Sequence, residues 1–202
     1  MDLTPLTLDG DRVRLEPMSL DHLDELSAAG AFDELWKWTR ARATTRESMR
    51  EYMEAAMAEA AQGVAMPFVT VDKASSRIIG STRFGNIDPF NRRVEIGWTW
   101  ITPEFQRSYV NSEAKYLMLR QAFEVWDCVR VELKTDVLNS KSRAAMVRLG
   151  ATEEGIFRKH MLAYGGRFRD SVYFSILDTE WPAVKQKLES SLWPDLLVRN
   201  LL

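Results

Sequence analysis

Apolar and charged residues alternate along Val13-Arg14-Leu15-Glu16-Pro17-Met18, the period of a strand, and Pro17 marks its end because it cannot donate to a ladder. At Ser19 the period changes. Leu20, Leu23 and Leu26 recur at helical spacing, acids fill the first turn, and Gly30 closes the segment. From Thr45 to Gln62 a second amphipathic helix follows, with Met49, Met53, Ala56, Met57 and Ala60 on one face and Gly63 after its end. Two β-rich segments, Pro67 to Val71 and Arg77 to Asn86, flank the polar loop from Asp72 to Ser76 and read as an antiparallel pair. Asp88-Pro89-Phe90-Asn91 turns the chain into a strand from Arg93 to Ile101. Regular alternation there puts Val94, Ile96, Trp98 and Trp100 on one face and Glu95, Gly97, Thr99 and Ile101 on the other.

Ala114, Leu117, Met118, Ala122, Val125 and Trp126 predict a helix from Ser112 to Trp126 packed on a sheet. A strand from Arg130 to Val137 follows, then a short helix opened by Asn139 and Ser140 and stopped after Leu149 by Gly150. Segments around Gly155 to Met161 and Ser171 to Leu177 form a hairpin turned near Gly165-Gly166. The order is a mixed α/β arrangement in one domain over residues 1–190, without an internal repeat or a GxGxxG loop. Residues 191–202 form an apolar tail: with Ser190 as its start, it holds Leu192, Trp193, Leu196, Leu197, Val198, Leu201 and Leu202. Such a terminus packs on something, and a homodimer is the expectation it raises.

Composition narrows the function. The chain has 202 residues, 46% of them apolar, enough for a core, and a formal charge of −2 with both signs interspersed. There is no basic stripe for a phosphate backbone, so nucleic acid is not the expected partner. One cysteine, Cys128, and two isolated histidines, His22 and His160, provide neither a disulfide framework nor a metal cluster. No segment reaches the ~20 apolar residues that span a bilayer, and Met-Asp-Leu-Thr-Pro does not begin a signal peptide. The expectation is a soluble cytoplasmic protein without a metal.

The informative junction runs from Trp100 through Ile101, Thr102, Pro103, Glu104, Phe105, Gln106, Arg107, Ser108, Tyr109 and Val110 to Asn111. It is a strand, a polar loop and a helix start, and such a junction offers unpaired N–H groups and a positive dipole end to an anion. An ordinary strand-to-helix connection has the same local pattern, so local physics leaves both readings open.

Four blocks taken together carry more. Arg12-Val13-Arg14-Leu15-Glu16-Pro17, Glu95-Ile96-Gly97-Trp98 through Asn111-Ser112-Glu113-Ala114-Lys115, Asn139 with Ser142 and Leu149-Gly150-Ala151, and Glu154-Gly155 leading to Glu180-Trp181 succeed one another over about residues 10 to 190. In this order they resemble the Gcn5-related N-acetyltransferase superfamily, in particular its branch of ribosomal-protein N-terminal acetyltransferases. The resemblance implies a mostly antiparallel central sheet with splayed middle strands, flanked by helices, and acetyl-CoA as co-substrate with its pantetheine arm in the splay. Trp100, Ile101, Gln106, Arg107, Ser108, Tyr109, Val110, Asn111, Asn139 and Arg143 are the implied cofactor contacts, with the Ile101 N–H stabilising the oxyanion. Where the family's phosphate loop carries glycines, this chain has Tyr109 and Asn111. Glycine permits positive φ, so Tyr109 implies a more open loop or ordinary dihedrals.

By the same resemblance Glu95 is the candidate base and Ser142 the candidate donor to the leaving thiolate. Their alternatives are ion pairing of Glu95 with Arg92, Arg93 or another surface cation, and capping by Ser142. Trp36 and Trp38 are the candidate acceptor wall, or one is core and the other half-buried. The implied reaction is direct transfer of acetyl to a primary amine, of a protein or peptide N-terminus or a small molecule. A non-catalytic acyl-CoA-binding module with the same fold is the alternative.

Overall fold

The computed structural model describes residues 1–194. An eight-stranded sheet runs through it in the order β1 (Leu8–Asp9), β2 (Val13–Pro17), β3 (Met66–Asp72), β4 (Arg77–Asp88), β5 (Arg93–Ile101), β6 (Arg130–Asp136), β8 (Phe168–Leu177), β7 (Thr152–Leu162). All neighbours are antiparallel except β5 and β6, which are parallel. A 3-10 turn at Leu20–His22 leads into α1 (Leu23–Gly30), and α2 (Arg46–Ala61) precedes β3. α3 (Val110–Arg120) continues as a π-helical turn, Gln121–Val125, and α4 (Ser140–Leu149) and α5 (Trp181–Leu192) complete the helices.

Sequence chemistry fixes these ends. At the start of α2, Thr45 Oγ1 accepts the Ser48 N–H while Ser48 Oγ accepts the Thr45 N–H, a reciprocal cap that satisfies two otherwise free donors. Gly150 ends α4 at φ +105, where a side chain would be strained.

The sheet has apolar cores on both faces. One is built from Phe84, Val94, Ile96, Leu117, Val131, Leu133, Val172 and Phe174 under α3, with Trp181, Val184, Leu188 and Leu192 of α5. The other places Leu23, Leu26, Trp36, Met49 and Met53 against Val69, Val71 and Trp100, below α1 and α2. Glu113 on α3, wholly buried, accepts the N–H groups of Arg12 at 2.8 Å and Val13 at 3.2 Å, tying the first strands to the site helix.

Three points differ from the sequence expectation. β1 and α5 are additional elements, and α5 carries the chain past residue 190 with Leu192 buried in the core. Residues 195–202, which hold most of the expected apolar tail, lie outside the described residues. In β5 the alternation breaks. Ser81 pairs with Trp100 and Arg83 with Gly97, so one residue of β4 faces two of β5, and Trp98 takes φ +49. This bulge reverses the faces. Val94 and Ile96 point into the α3 core, but Trp98 and Trp100 turn to the opposite side with Glu95, while Thr99 reaches Lys115 of α3.

Candidate active site

β5 and β6 are paired only at Arg93–Glu95 with Arg130–Glu132, and beyond that point no register joins them. They part like the arms of a V. β5 continues its ladder with β4, and β6 with β8, so the two inner edges face one another with free backbone groups. The Thr102 N–H donates to the Ile79 carbonyl at 2.8 Å, and ladder alternation therefore turns the Ile101 N–H away from β4 and into the gap. Both arms end in helix starts, β5 leading to α3 and β6 to α4, so two positive dipole ends adjoin the open end of the V.

In the loop before α3 the side chains are spent on the protein. Gln106 Nε2 donates to the Ile101 carbonyl at 2.9 Å, and Ser108 Oγ donates to the Phe105 carbonyl at 2.6 Å while accepting the Val110 N–H. Tyr109 Oη donates to Asp72 Oδ1 at 2.5 Å, with the Arg12 guanidinium 4.1 Å from its ring, and the Asp72 bond pushes the phenol up to about 12. Left over, among the described residues, are the N–H groups of Arg107, Ser108, Tyr109, Asn111 and Ser112, which find no acceptor. They form an anion-binding nest made of backbone alone. Tyr109 has ordinary helical dihedrals, φ −64 and ψ −23, and the positive φ, +59, falls on Arg107. The loop thus dispenses with the expected glycine by leading the Tyr109 side chain away to β3. Val110 is fully buried in the core, so only its neighbours face the nest.

On the other side of the V lies Glu95, 3% exposed. Its Oε2 accepts from Lys134 Nζ and from Asn86 Nδ2, each at 2.7 Å, whereas Oε1 has no donor among the described residues. Gly97 keeps the space beside Oε1 open, since a Cβ there would lie 3.1 Å from it. Neither Arg92 nor Arg93 is the partner: Arg92 pairs with Asp127, and Arg93 with Asp88 and Glu132. Around the pair stand Trp98, with the Lys134 ammonium 5.8 Å from its ring, and Tyr173, whose hydroxyl is 3.4 Å from His160 Nε2. Burial pushes Tyr173 up and holds His160 below its usual value, keeping the imidazole neutral near pH 7. Further along this face Asp136 binds Arg167, and Arg169 donates to Ser171 Oγ and to the Trp38 carbonyl, each at 3.0 Å.

The remaining candidates divide. Asn139 caps α4, its Oδ1 accepting the Ser142 N–H at 3.1 Å, and Ser142 Oγ has no partner among the described residues. Arg143 pairs with Glu153 at 3.0 Å. Trp36 is 2% exposed, donates Nε1 to the Gly30 carbonyl and packs on Trp100, so it is core. Trp38 stays half-buried under Arg167, and the Tyr164 N–H at the β7–β8 turn donates to the Thr39 carbonyl beside it. On the opposite face Lys115, 5% exposed, bonds the hydroxyls of Thr99 at 2.5 Å and Thr82 at 3.1 Å, and burial pulls its amine down to about 7. Among the described residues no group of side chains is arranged to hold a metal ion, and no helix is long and apolar enough to cross a membrane.

A parted parallel pair with an N–H nest at its open end is the arrangement an acyl-CoA needs, and the comparisons agree. Residues 12–152 match the acetyltransferase (GNAT) domain. The chain belongs to this family. It is an acetyl-CoA-dependent N-acetyltransferase. A putative ribosomal N-acetyltransferase, YdaF, of Bacillus subtilis is 36% identical over 54% of this chain and 58% of its own length. The structure of a GCN5-related N-acetyltransferase from Brucella melitensis is 34% identical, covering 95% of this chain and 87% of that one with a TM-score of 0.88. The RimJ of Mycobacterium smegmatis, solved with a CoA-disulfide, shares the fold at a TM-score of 0.81 and 22% identity over 94% of this chain and 96% of that one.

For the acetyltransferase, sequence reading named Glu95 and the loop before α3 as candidates, and did not name Lys134 and Asn86, which bond Glu95, or Tyr173 and Arg169 near them. A signal was there: Arg130, Glu132, Lys134 and Asp136 put charge at every second position of β6, marking a polar face that adjoins Glu95.

Proposed function

We propose that the enzyme acetylates the α-amine of a peptide or protein N-terminus, with Glu95 as base and Ser142 as proton donor. The observation that carries this reading is the buried carboxylate of Glu95, one oxygen held and the other open, where β5 and β6 part. In it the pantetheine arm lies along the free edges, the pyrophosphate on the N–H groups of Arg107 to Ser112, and the thioester oxygen on the Ile101 N–H. Gln106 braces this loop, Trp100 is the core support of its strand, and Asn139 and Arg143 shape the start of α4.

The amine nitrogen attacks the thioester carbon and passes its proton to Glu95. The C–S bond then breaks, the CoA thiolate takes a proton from Ser142, and water carries the proton held on Glu95 back to the serine alkoxide, which restores both groups. A thiolate of pKa near ~8.5 needs little help, so Ser142 contributes less than Glu95. An α-amine of pKa near ~8 is about one-tenth free base at pH 7, against well under one in a thousand for a lysine amine near ~10.4. This chemistry favours the N-terminus, and the name of the Bacillus subtilis relative, a putative ribosomal N-acetyltransferase, accords with a protein acceptor. In this reading Trp38, with Tyr164 near it, receives the acceptor's first residues. A cytoplasmic location accords with a single buried thiol, Cys128. A homodimer through the tail is the assembly we propose, and a chain ending at Ser190 that sediments at the full-length mass would remove it.

Glu95→Gln should lower kcat/KM by about 100-fold or more while leaving acetyl-CoA binding in place. Ser142→Ala should cost about 10-fold or less by the same measure. A fully active Glu95→Gln enzyme removes the base, and acetylation of small amines with no peptide turned over removes the acceptor class.

A further inference from the structure

The Glu95 carboxylate has two unequal oxygens. Oε2 takes two donors, the Lys134 ammonium and the Asn86 amide, and Oε1 takes none among the described residues. Lys134 is itself confined. Its side chain is 13% exposed, it stands opposite Tyr173 in the β6–β8 register, and the rings of Trp98 and Tyr173 lie 5.8 and 5.7 Å from its nitrogen. A buried ion pair walled by aromatic rings adds little net stability over apolar residues of the same volume, so stability does not explain why it is here.

Among the described residues no other cation does this job. From β4, Arg83 is paired with Glu59 of α2. From β5, Arg93 is paired with Asp88 and Glu132. From β8, Arg169 reaches Ser171 and Trp38. His160 of β7 is held neutral by burial and by the neighbouring Lys134 and Arg169 charges. The anions that face the pair, Glu132 and Asp136 on β6, are taken up by Arg93 and Arg130 and by Arg167.

We propose that Lys134 is a positioning residue for acetyl transfer: with Asn86 it pins Oε2, so that the acceptor's proton is taken on Oε1, and it sets a positive charge against the buried carboxylate. This rests on Glu95 being the base. Without Lys134 the carboxylate has one neutral donor in a buried setting, which favours its protonated form and leaves it free to turn.

The test is the pH dependence of kcat/KM, measured from pH 5 to 9 on the full chain with acetyl-CoA and a peptide acceptor and referred to the free-base fraction of the peptide's α-amine, whose own pKa near ~8 bends the uncorrected profile. Lys134→Met should move the acid limb up by about 1 to 3 pH units, the usual effect of one adjacent charge, and Lys134→Arg should bring it back towards the wild-type position. Lys134→Gln keeps a donor without the charge and serves if the methionine variant does not fold; it should move the limb the same way. A merely structural lysine would lower kcat/KM equally at all pH values. An unshifted limb in a folded Lys134 variant, in an enzyme that Glu95→Gln silences, overturns the role of Lys134 alone. Full activity of Glu95→Gln overturns the base, and this role with it.

Discussion

Replacing Lys115 with Met is expected to stabilise the protein at neutral pH, and the gain should vanish in alkali. The amine is buried between α3 and the β4–β5 bulge with two threonine hydroxyls as its bonding partners among the described residues, and burial lowers it from 10.5 to about 7. In the unfolded chain it regains an ordinary value of ~10.4. Between pH 7 and 10.4 the unfolded state therefore binds more protons than the folded one, so stability rises with pH across this window and is flat below it. At 1.36 kcal/mol per unit, the wild type carries a penalty of about 5 kcal/mol below pH 7 relative to strong alkali. Methionine keeps the stem without the charge, and Thr82 and Thr99 remain bonded to one another at 2.8 Å. Urea unfolding of both proteins at pH 6 and pH 10 cancels every other titrating group in the difference. That difference should shrink by about 4 kcal/mol from pH 6 to pH 10. A difference independent of pH would refute the reasoning, because it would mean that Lys115 titrates alike in both states.

Tyr109→Phe removes the bond to Asp72 that draws the side chain away from the loop proposed to hold the pyrophosphate. A hydrogen bond to a charged group is worth about 1.5 to 3 kcal/mol, so KM for acetyl-CoA should rise about 10-fold with kcat little changed, as initial rates will show. Glu113→Ala leaves the Arg12 and Val13 N–H groups without their acceptor and should cost about 2 to 4 kcal/mol in urea unfolding. Asn139→Ala strips the cap of α4 and should cost about 1 kcal/mol by the same assay.

Much of this site was legible before the structure because its parts are local. The start of α2 after Thr45, the stop at Gly150 and the strand–loop–helix run from Arg93 to Arg120 follow from neighbouring residues. What was not legible depends on partners far along the chain. The ordinary dihedrals of Tyr109 were foreseen as one of two outcomes, but not that Asp72, 37 residues earlier, receives its hydroxyl. In β5, alternation put Trp98 beside Ile96, whereas the bulge turns it across Gly85, where a Cβ would lie 2.4 Å from the indole. Gly97 within a strand was the available sign of that bulge. α5 carried its pattern openly in Trp181, Val184, Leu188 and Leu192, with Pro182 in the first turn where it forfeits no bond.

The most direct measurement is acceptor-dependent release of CoA from acetyl-CoA, followed as free thiol, with a peptide bearing a free α-amine and the same peptide blocked at its N-terminus but carrying a lysine. Thiol release matched by acetylation of the α-amine, absent for the blocked peptide and suppressed about 100-fold or more in Glu95→Gln, is the predicted result. Acetyl-CoA bound without acceptor-dependent thiol release from either peptide would contradict it.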